Sequence, residues 1–207
     1  MSYNVTIAVA KGRTLEAVRQ RWLECGWDWP ESSNSRQLWF PPDRARPGLI
    51  VARGADIPML VQRGIAEFGI VGLDMLREHP TDGVLEVLDL DVAHCRLALA
   101  GAKMEWPDGP ARIATKYQRV ARDFFRRRSH PVEIVPLSGS LELAPAIGLA
   151  PYIVDVVQTG ATLKAHGLYE ISTVFHSSAR LIANAAVWRT GNGMLSVYEQ
   201  WKAVTGR

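Results

Sequence analysis

Short apolar runs alternate with amphipathic stretches from one end of the chain to the other. The runs at 5–9, 49–52, 68–71, 84–88, 97–100, 132–136 and 153–157 are rich in Val, Ile, Leu and Ala. Such runs between turn-forming residues predict buried strands. A shorter run at 112–114 predicts one more. Residues 14–25, 57–63, 118–128, 141–147 and 179–188 carry apolar positions at helical spacing and predict helices. Strands alternating with helices predict an α/β fold with mainly parallel sheets and right-handed crossovers. Residues 103–110 form a turn cluster around Trp106-Pro107-Asp108-Gly109-Pro110. Residues 29–47 are the least regular part, with Arg36, Arg44 and Arg46 among prolines and serines. Long irregular loops in compact folds often carry function. Near the end, Met194, Val197, Tyr198, Trp201 and Val204 form an apolar stripe at helical spacing. That stripe is expected in the core or at a subunit interface.

Composition narrows the class. A chain of 207 residues makes one large domain or two small lobes, enough for a substantial core. A formal charge of +3 is too small to argue for nucleic acid and suits polyanionic substrates only weakly. Cys25 and Cys95 form no CxxC and no disulfide framework, so a reducing cytoplasm is expected. No basic segment leads into an apolar core at the N-terminus, and no apolar run reaches the length of a membrane span. His79, His94, His130, His166 and His176 show no ligand spacing, so no metal site is expected.

Candidate chemistry gathers where strands end. The run 153–157 contains one acid, Asp155, and empties into Thr159-Gly160-Ala161-Thr162. Leu163-Lys164-Ala165-His166-Gly167 then predicts a short helix with a glycine stop. A strand, a small hydroxyl-rich turn and a helix start form a phosphate cradle: backbone N–H groups and the helix dipole favour an anion. An acid just before it could hold the hydroxyls of a ribose. Taken alone, the pattern also fits an ordinary βα turn. Lys11 and Arg13 follow the first strand and open the first helix. Cations there oppose the dipole, and a bound anion would resolve the conflict; a solvated turn is the alternative. Arg53 stands at the end of the run 49–52, and Lys116 and Tyr117 come just after 112–114.

The wider stretch is more specific. Glu142, Gly148, Ala150, Ile153, Asp155, Val156, Thr159, Gly160, Thr162 and Leu163 stand at the spacing that marks ATP phosphoribosyltransferases, which catalyse the first step of histidine biosynthesis. Ile7-Ala8-Val9-Ala10-Lys11-Gly12-Arg13 resembles that family's strand–Lys-Gly-Arg opening. Arg53-Gly54-Ala55-Asp56-Ile57-Pro58, Gly69-Ile70-Val71-Gly72-Leu73-Asp74, Leu137-Ser138-Gly139-Ser140 and Ala179-Arg180-Leu181-Ile182-Ala183-Asn184 are also similar, in the family's order. The resemblance covers essentially the whole chain.

It implies two α/β lobes like a type II periplasmic binding protein, with the active site in the cleft. The first lobe would be 1–93 plus 176–207, and the second 94–175. The implied reaction joins N1 of the adenine of ATP to C1 of phosphoribosyl pyrophosphate and releases pyrophosphate. The resemblance gives Asp155, Thr159, Gly160, Ala161 and Thr162 to phosphoribosyl pyrophosphate. Lys11, Arg36 and Arg53 become catalytic cations, with the Arg53 fork on the departing pyrophosphate. Arg13, Lys116 and Tyr117 fall to ATP, although Tyr117 fits equally well as a residue packed at a helix start. Mg2+ would arrive with the pyrophosphate substrate. Departures are Gly54 where a further basic residue is frequent, Gln118 where proline is usual, and His166 where asparagine is common.

The chain stops at Arg207, without room for the histidine-binding domain of long family members. It therefore resembles the short form, which implies a regulatory subunit similar to a histidyl-tRNA synthetase core and a homodimer within a hetero-oligomer. The rival from another class is a non-catalytic solute-binding protein of the same lobed fold. Such a protein would not need Lys11, Arg13, Arg53 and the 159–162 turn together.

Overall fold

The structure is a computed structural model that describes residues 3–31, 36–191 and 193–205. The chain starts with β1 (Thr6–Ala10), α1 (Arg13–Glu24), β2 (Trp39–Phe40) and β3 (Gly48–Ala52). A single 3-10 turn at Gly54–Asp56 leads into α2 (Ile57–Gln62), then β4 (Phe68–Gly72), α3 (Leu73–Glu78) and β5 (Val84–Asp89). Next come β6 (Cys95–Gly101), β7 (Ala111–Thr115), α4 (Gln118–Arg126) and β8 (Val132–Pro136). These are followed by α5 (Leu143–Ala146), β9 (Tyr152–Val157), α6 (Ala161–Ala165) and β10 (Tyr169–Ser177). The chain ends with β11 (Ala179–Asn184), α7 (Ala185–Thr190) and α8 (Met194–Thr205). Backbone proximity divides it into two units, Met1–Ala93 with Ser178–Arg207, and His94–Ser177.

The first unit holds a six-stranded sheet in the order β2-β3-β1-β4-β11-β5. Its inner strands β3, β1 and β4 are parallel, while β2 and β11 run antiparallel to their neighbours. All five residues of β1 are buried, which is why this strand reads as an unbroken apolar run rather than an alternation. Ile7 and Val9 face α1 and α8, among the fully buried Trp22 and Trp201 and the nearly buried Trp27. These three indoles meet edge to face, with centroids 5.1 to 6.5 Å apart. Ala8 and Ala10 face the opposite side with Ile57, Val61 and Ile182. There Gly69 is required by close approach: a Cβ would lie 2.7 Å from Ile57 Cγ2 and 2.8 Å from Val61 Cγ2.

The second unit holds a five-stranded sheet in the order β10-β6-β9-β7-β8. Here β9, β7 and β8 are parallel, and β6 runs antiparallel between β9 and β10. Ala98, Ala114, Ile153 and Val157 pack with Leu141, Ala144, Leu163 and Leu168.

One expectation needs correction. Residues 179–188 are not one helix but a strand followed by a helix. The Ala, Leu and Arg of that stretch are good helix formers, but the sheet position, buried at five of the six residues of β11, overrides propensity. The apolar stripe of α8 takes the first of its two expected places, the core, with Met194, Val197 and Trp201 fully buried.

Candidate active site

Parallel strands end at one edge of a sheet, and the chain that leaves them builds the site there. In the first unit, β1 ends at Ala10 and is followed by Lys11, Gly12 and Arg13. Next to it, β3 ends at Ala52 and is followed by Arg53. The Lys11 N–H donates to the Ala52 carbonyl at 2.9 Å, which ties the two strand ends together. The antiparallel register of β2 against β3 sets Trp39 opposite Ile50, and Val51 N–H donates to Leu38 O at 2.8 Å. Arg36, in the turn just before, therefore lies at the same edge. Lys11, Arg13, Arg36 and Arg53 are all exposed. The topology thus gathers at one sheet edge four cations that are up to 42 positions apart in sequence (53 minus 11). Gly54 sits tightly against α3: a Cβ there would lie 3.2 Å from Met75 Cγ, so a side chain at this position would push the Met75 side chain aside by a few tenths of an ångström.

In the second unit the same logic brings together Lys116-Tyr117 after β7, Ser138-Gly139-Ser140 after β8, and the segment 158–162 after β9. Thr115, fully buried, locks two of these ends. Its hydroxyl donates to Val154 O at 2.6 Å and accepts from Tyr117 N–H at 2.9 Å. The pleat places Asp155, half-buried, on the same face as Ile153 and Val157, the face covered by Leu141 and Leu163. Beyond the strand, Thr159 Oγ1 accepts from Ala161 N–H at 3.3 Å. Gly160 caps α6 in the left-handed region, with φ 80° and ψ 2°. A Cβ on Gly160 would meet only Val157 Cγ1, at 4.0 Å, so conformation rather than space demands glycine. Ala161 and Thr162 are exposed at the start of α6, where the first amides have no partner inside the helix.

Tyr117 is only 1% exposed. Its ring lies under the Lys116 ammonium, 4.9 Å from the centroid, and presents no open face on which a base could stack.

Among the described residues, Cys25 is no nucleophile. Burial pushes the Cys25 thiol up to about 12, with Glu24 adding to the shift and Arg21 opposing it, so it stays a protonated packing group. Among the described residues there is no cluster of three or more His, Cys, Asp or Glu suited to a metal. A concavity of about 600 Å3 lined by Arg119, Arg122, Asp123, Arg126, His130 and Val132 runs along α4 and contains none of the expected site residues.

One arrangement escaped sequence reasoning. Arg96 of β6 forks onto Glu170 of β10, with Nε 2.9 Å from Oε2 and Nη2 2.7 Å from the same oxygen. Its Nη1 donates to the carbonyl of Gln158 at 3.1 Å, next to Thr159. The Arg96 hydrogen bonds hold the Glu170 carboxyl below its ordinary range, against partial burial and with help from the Thr173 hydroxyl. The pair was hidden because β10 was not anticipated: bulges at Glu170/Ser172 and Thr173/Phe175 break its period of two.

Comparison with known proteins identifies the family. A family model described as HisG, ATP phosphoribosyltransferase, matches residues 53–202. The ATP phosphoribosyltransferase of Marinobacter nauticus is 39% identical over 210 residues, spanning 100% of this chain and 98% of that protein. That of Halorhodospira halophila is 40% identical over 196 residues, 92% of this chain and 90% of that protein. Among solved structures, a chain of the ATP phosphoribosyl transferase (HisG:HisZ) complex from Thermotoga maritima superposes with a TM-score of 0.83 at 29% identity, covering 98% of both chains. The periplasmic VFT2 domain of Bordetella pertussis BvgS shares the fold alone, with a TM-score of 0.56 at 13% identity.

Proposed function

The chain belongs to the ATP phosphoribosyltransferase family, and from that premise we propose how its residues carry the transfer of a phosphoribosyl group to ATP. The adenine N1 lone pair attacks C1 of phosphoribosyl pyrophosphate, the N1–C1 bond forms, and the C1–O bond to pyrophosphate breaks. N1 is already unprotonated, so no base must act first. As the bond loosens, C1 becomes cation-like and the departing diphosphate gains negative charge. The protein's task is therefore positioning and charge stabilisation.

The turn Thr159-Gly160-Ala161-Thr162 holds the phosphoribosyl group by backbone amides at the start of α6, and Asp155 steadies the ribose hydroxyls and the positive charge at C1. Arg53, with Lys11 and Arg36, meets the charge developing on pyrophosphate. Arg13 and Lys116 bind ATP phosphates, and the buried Tyr117 supports Lys116 rather than stacking on adenine. The observation that carries this assignment is the left-handed Gly160 at the carboxyl end of β9, a backbone form suited to an anion cradle.

Mg2+ fits this site as a passenger of the diphosphate. This cation binds largely through substrate phosphates and water, so it would come in on the diphosphate rather than be held by a dedicated protein cage. Bound there, it would neutralise diphosphate charge. The Thermotoga maritima likeness supports a HisZ-type regulatory subunit as partner, and a homodimer of this chain within that hetero-oligomer belongs to the same reading. Among the described residues no helix is long and apolar enough to cross a membrane, and a substrate such as ATP points to the cytoplasm.

The test is product analysis. Incubated with ATP, phosphoribosyl pyrophosphate, Mg2+ and the HisZ-type subunit, the chain should yield an ATP adduct carrying one phosphoribosyl group and an equal amount of pyrophosphate. Hydrolysis of either substrate without an adduct would overturn the assignment.

A further inference from the structure

Between β9 and β10 the chain leaves the sheet, makes the Thr159–Thr162 turn and α6, and returns at Tyr169. Gln158 is the last residue before this excursion, and Glu170 stands at its return. Both are held by one side chain. Arg96, on the strand between β9 and β10, donates from Nη1 to Gln158 O at 3.1 Å. With Nε and Nη2 it grips both Glu170 oxygens, at 2.7 to 3.0 Å. Glu170 is in turn fixed by the Thr173 hydroxyl at 2.8 Å. An open concavity of about 420 Å3 borders the excursion, lined by Arg96, Gly160, Leu163, Lys164, Leu168 and Glu170. Leu163 and Leu168 bury the middle of the excursion in the core, and the Arg96 hydrogen bonds hold its two polar ends.

We propose that Arg96 is a positioning residue that clasps the two ends of the 158–170 excursion and so holds the phosphoribosyl-binding turn in its binding geometry. This rests on the assignment of that turn to phosphoribosyl pyrophosphate. A guanidinium suits the role, since its planar fork can satisfy a carboxylate with two N–H groups and still reach a carbonyl with a third. An ammonium has no such fixed fork. Pinning both ends of a loop lowers the entropy it must lose on binding, and a pre-ordered site binds more tightly for the same contacts. Arg96 touches no substrate atom in this scheme. Its effect appears as order in the turn.

The experiment uses the full chain with its HisZ-type subunit and compares wild type with Arg96→Met, Arg96→Lys and Glu170→Gln. Hydrogen exchange at the amides of 159–169 should speed up in all three, while β7 and β9 keep wild-type protection. The dissociation constant for phosphoribosyl pyrophosphate should rise about tenfold in Arg96→Met and less in Arg96→Lys, with ATP binding unchanged. The rise should show in KM for phosphoribosyl pyrophosphate more than in kcat. The double variant Arg96→Met with Glu170→Gln should be no worse than Arg96→Met alone, because both remove the same clasp. A merely structural ion pair would lower Tm and leave the substrate constants alone, and that result would overturn the proposal. So would unchanged exchange at 159–169. If wild type fails to bind phosphoribosyl pyrophosphate, the substrate assignment fails, and exchange at 159–169 still decides whether Arg96 is a clasp. If Arg96→Met does not fold, Glu170→Gln, which keeps the side chain's shape, decides by the same measurements.

Discussion

At the scale of single residues, Gly160 and Arg53 carry the sharpest expectations. Gly160 has φ 80°, a conformation costly for a β-branched residue. Gly160→Val should therefore distort the turn and weaken phosphoribosyl pyrophosphate binding by about tenfold or more, with ATP binding intact. Isothermal calorimetry reads this directly, and unchanged binding would remove the turn from the site. Arg53 is exposed at a strand end, and in the proposed scheme it meets charge that grows only as the C1–O bond breaks. Arg53→Ala should lower kcat by about a hundredfold while the ATP dissociation constant barely moves, since an interaction made in the transition state is lost from turnover. A variant whose only defect is weaker ATP binding would contradict that role. Both residues were legible in sequence because each follows a recognisable apolar run. Arg96 was not, because a lone arginine within a strand pattern carries no signal until its partner strand is known. Tyr117 was half legible: its place after β7 was evident, while its burial depends on packing that no local pattern records.

At the scale of elements, alternation was legible and pairing was not. The inner parallel strands are buried on both faces, so each appears as a continuous apolar run. The antiparallel additions were harder to see: β2 is two residues long, and β10 is bulged. The junction of β11 and α7 carries its signal in one residue, Asn184. Asn184 accepts from the N–H groups of Ala186 and Val187, at 3.0 and 3.1 Å, as a helix cap does. Its amide also donates to Val61 O at 2.8 Å, binding this junction to α2. Asn184→Ala should destabilise the protein by about 1–2 kcal/mol from the cap alone. A loss near 1 kcal/mol lowers Tm by roughly 2–4 °C in a chain of this size, with KM values unaffected. A thermal melt alongside steady-state kinetics checks both halves of that expectation.

At the scale of the whole molecule, two units built from the same alternation leave no compositional boundary for sequence to show. The chain passes between them near Ala93 and again near Ser177. Neither passage is marked by a glycine- or proline-rich linker; instead Asp91 and Ala93 take φ of 53° and 55°, left-handed values that their identities do not announce. In the proposed scheme the cations of the first unit serve the pyrophosphate and the turn of the second serves the phosphoribosyl group, so a test of the whole must change a residue in each unit. The most direct test is the initial rate of pyrophosphate release with the HisZ-type subunit present, measured with both substrates and with each alone. Release should require ATP and phosphoribosyl pyrophosphate together, and should fall steeply in both Arg53→Ala and Gly160→Val, one from each unit. Pyrophosphate release that proceeds without ATP, or that survives both substitutions, would contradict the account.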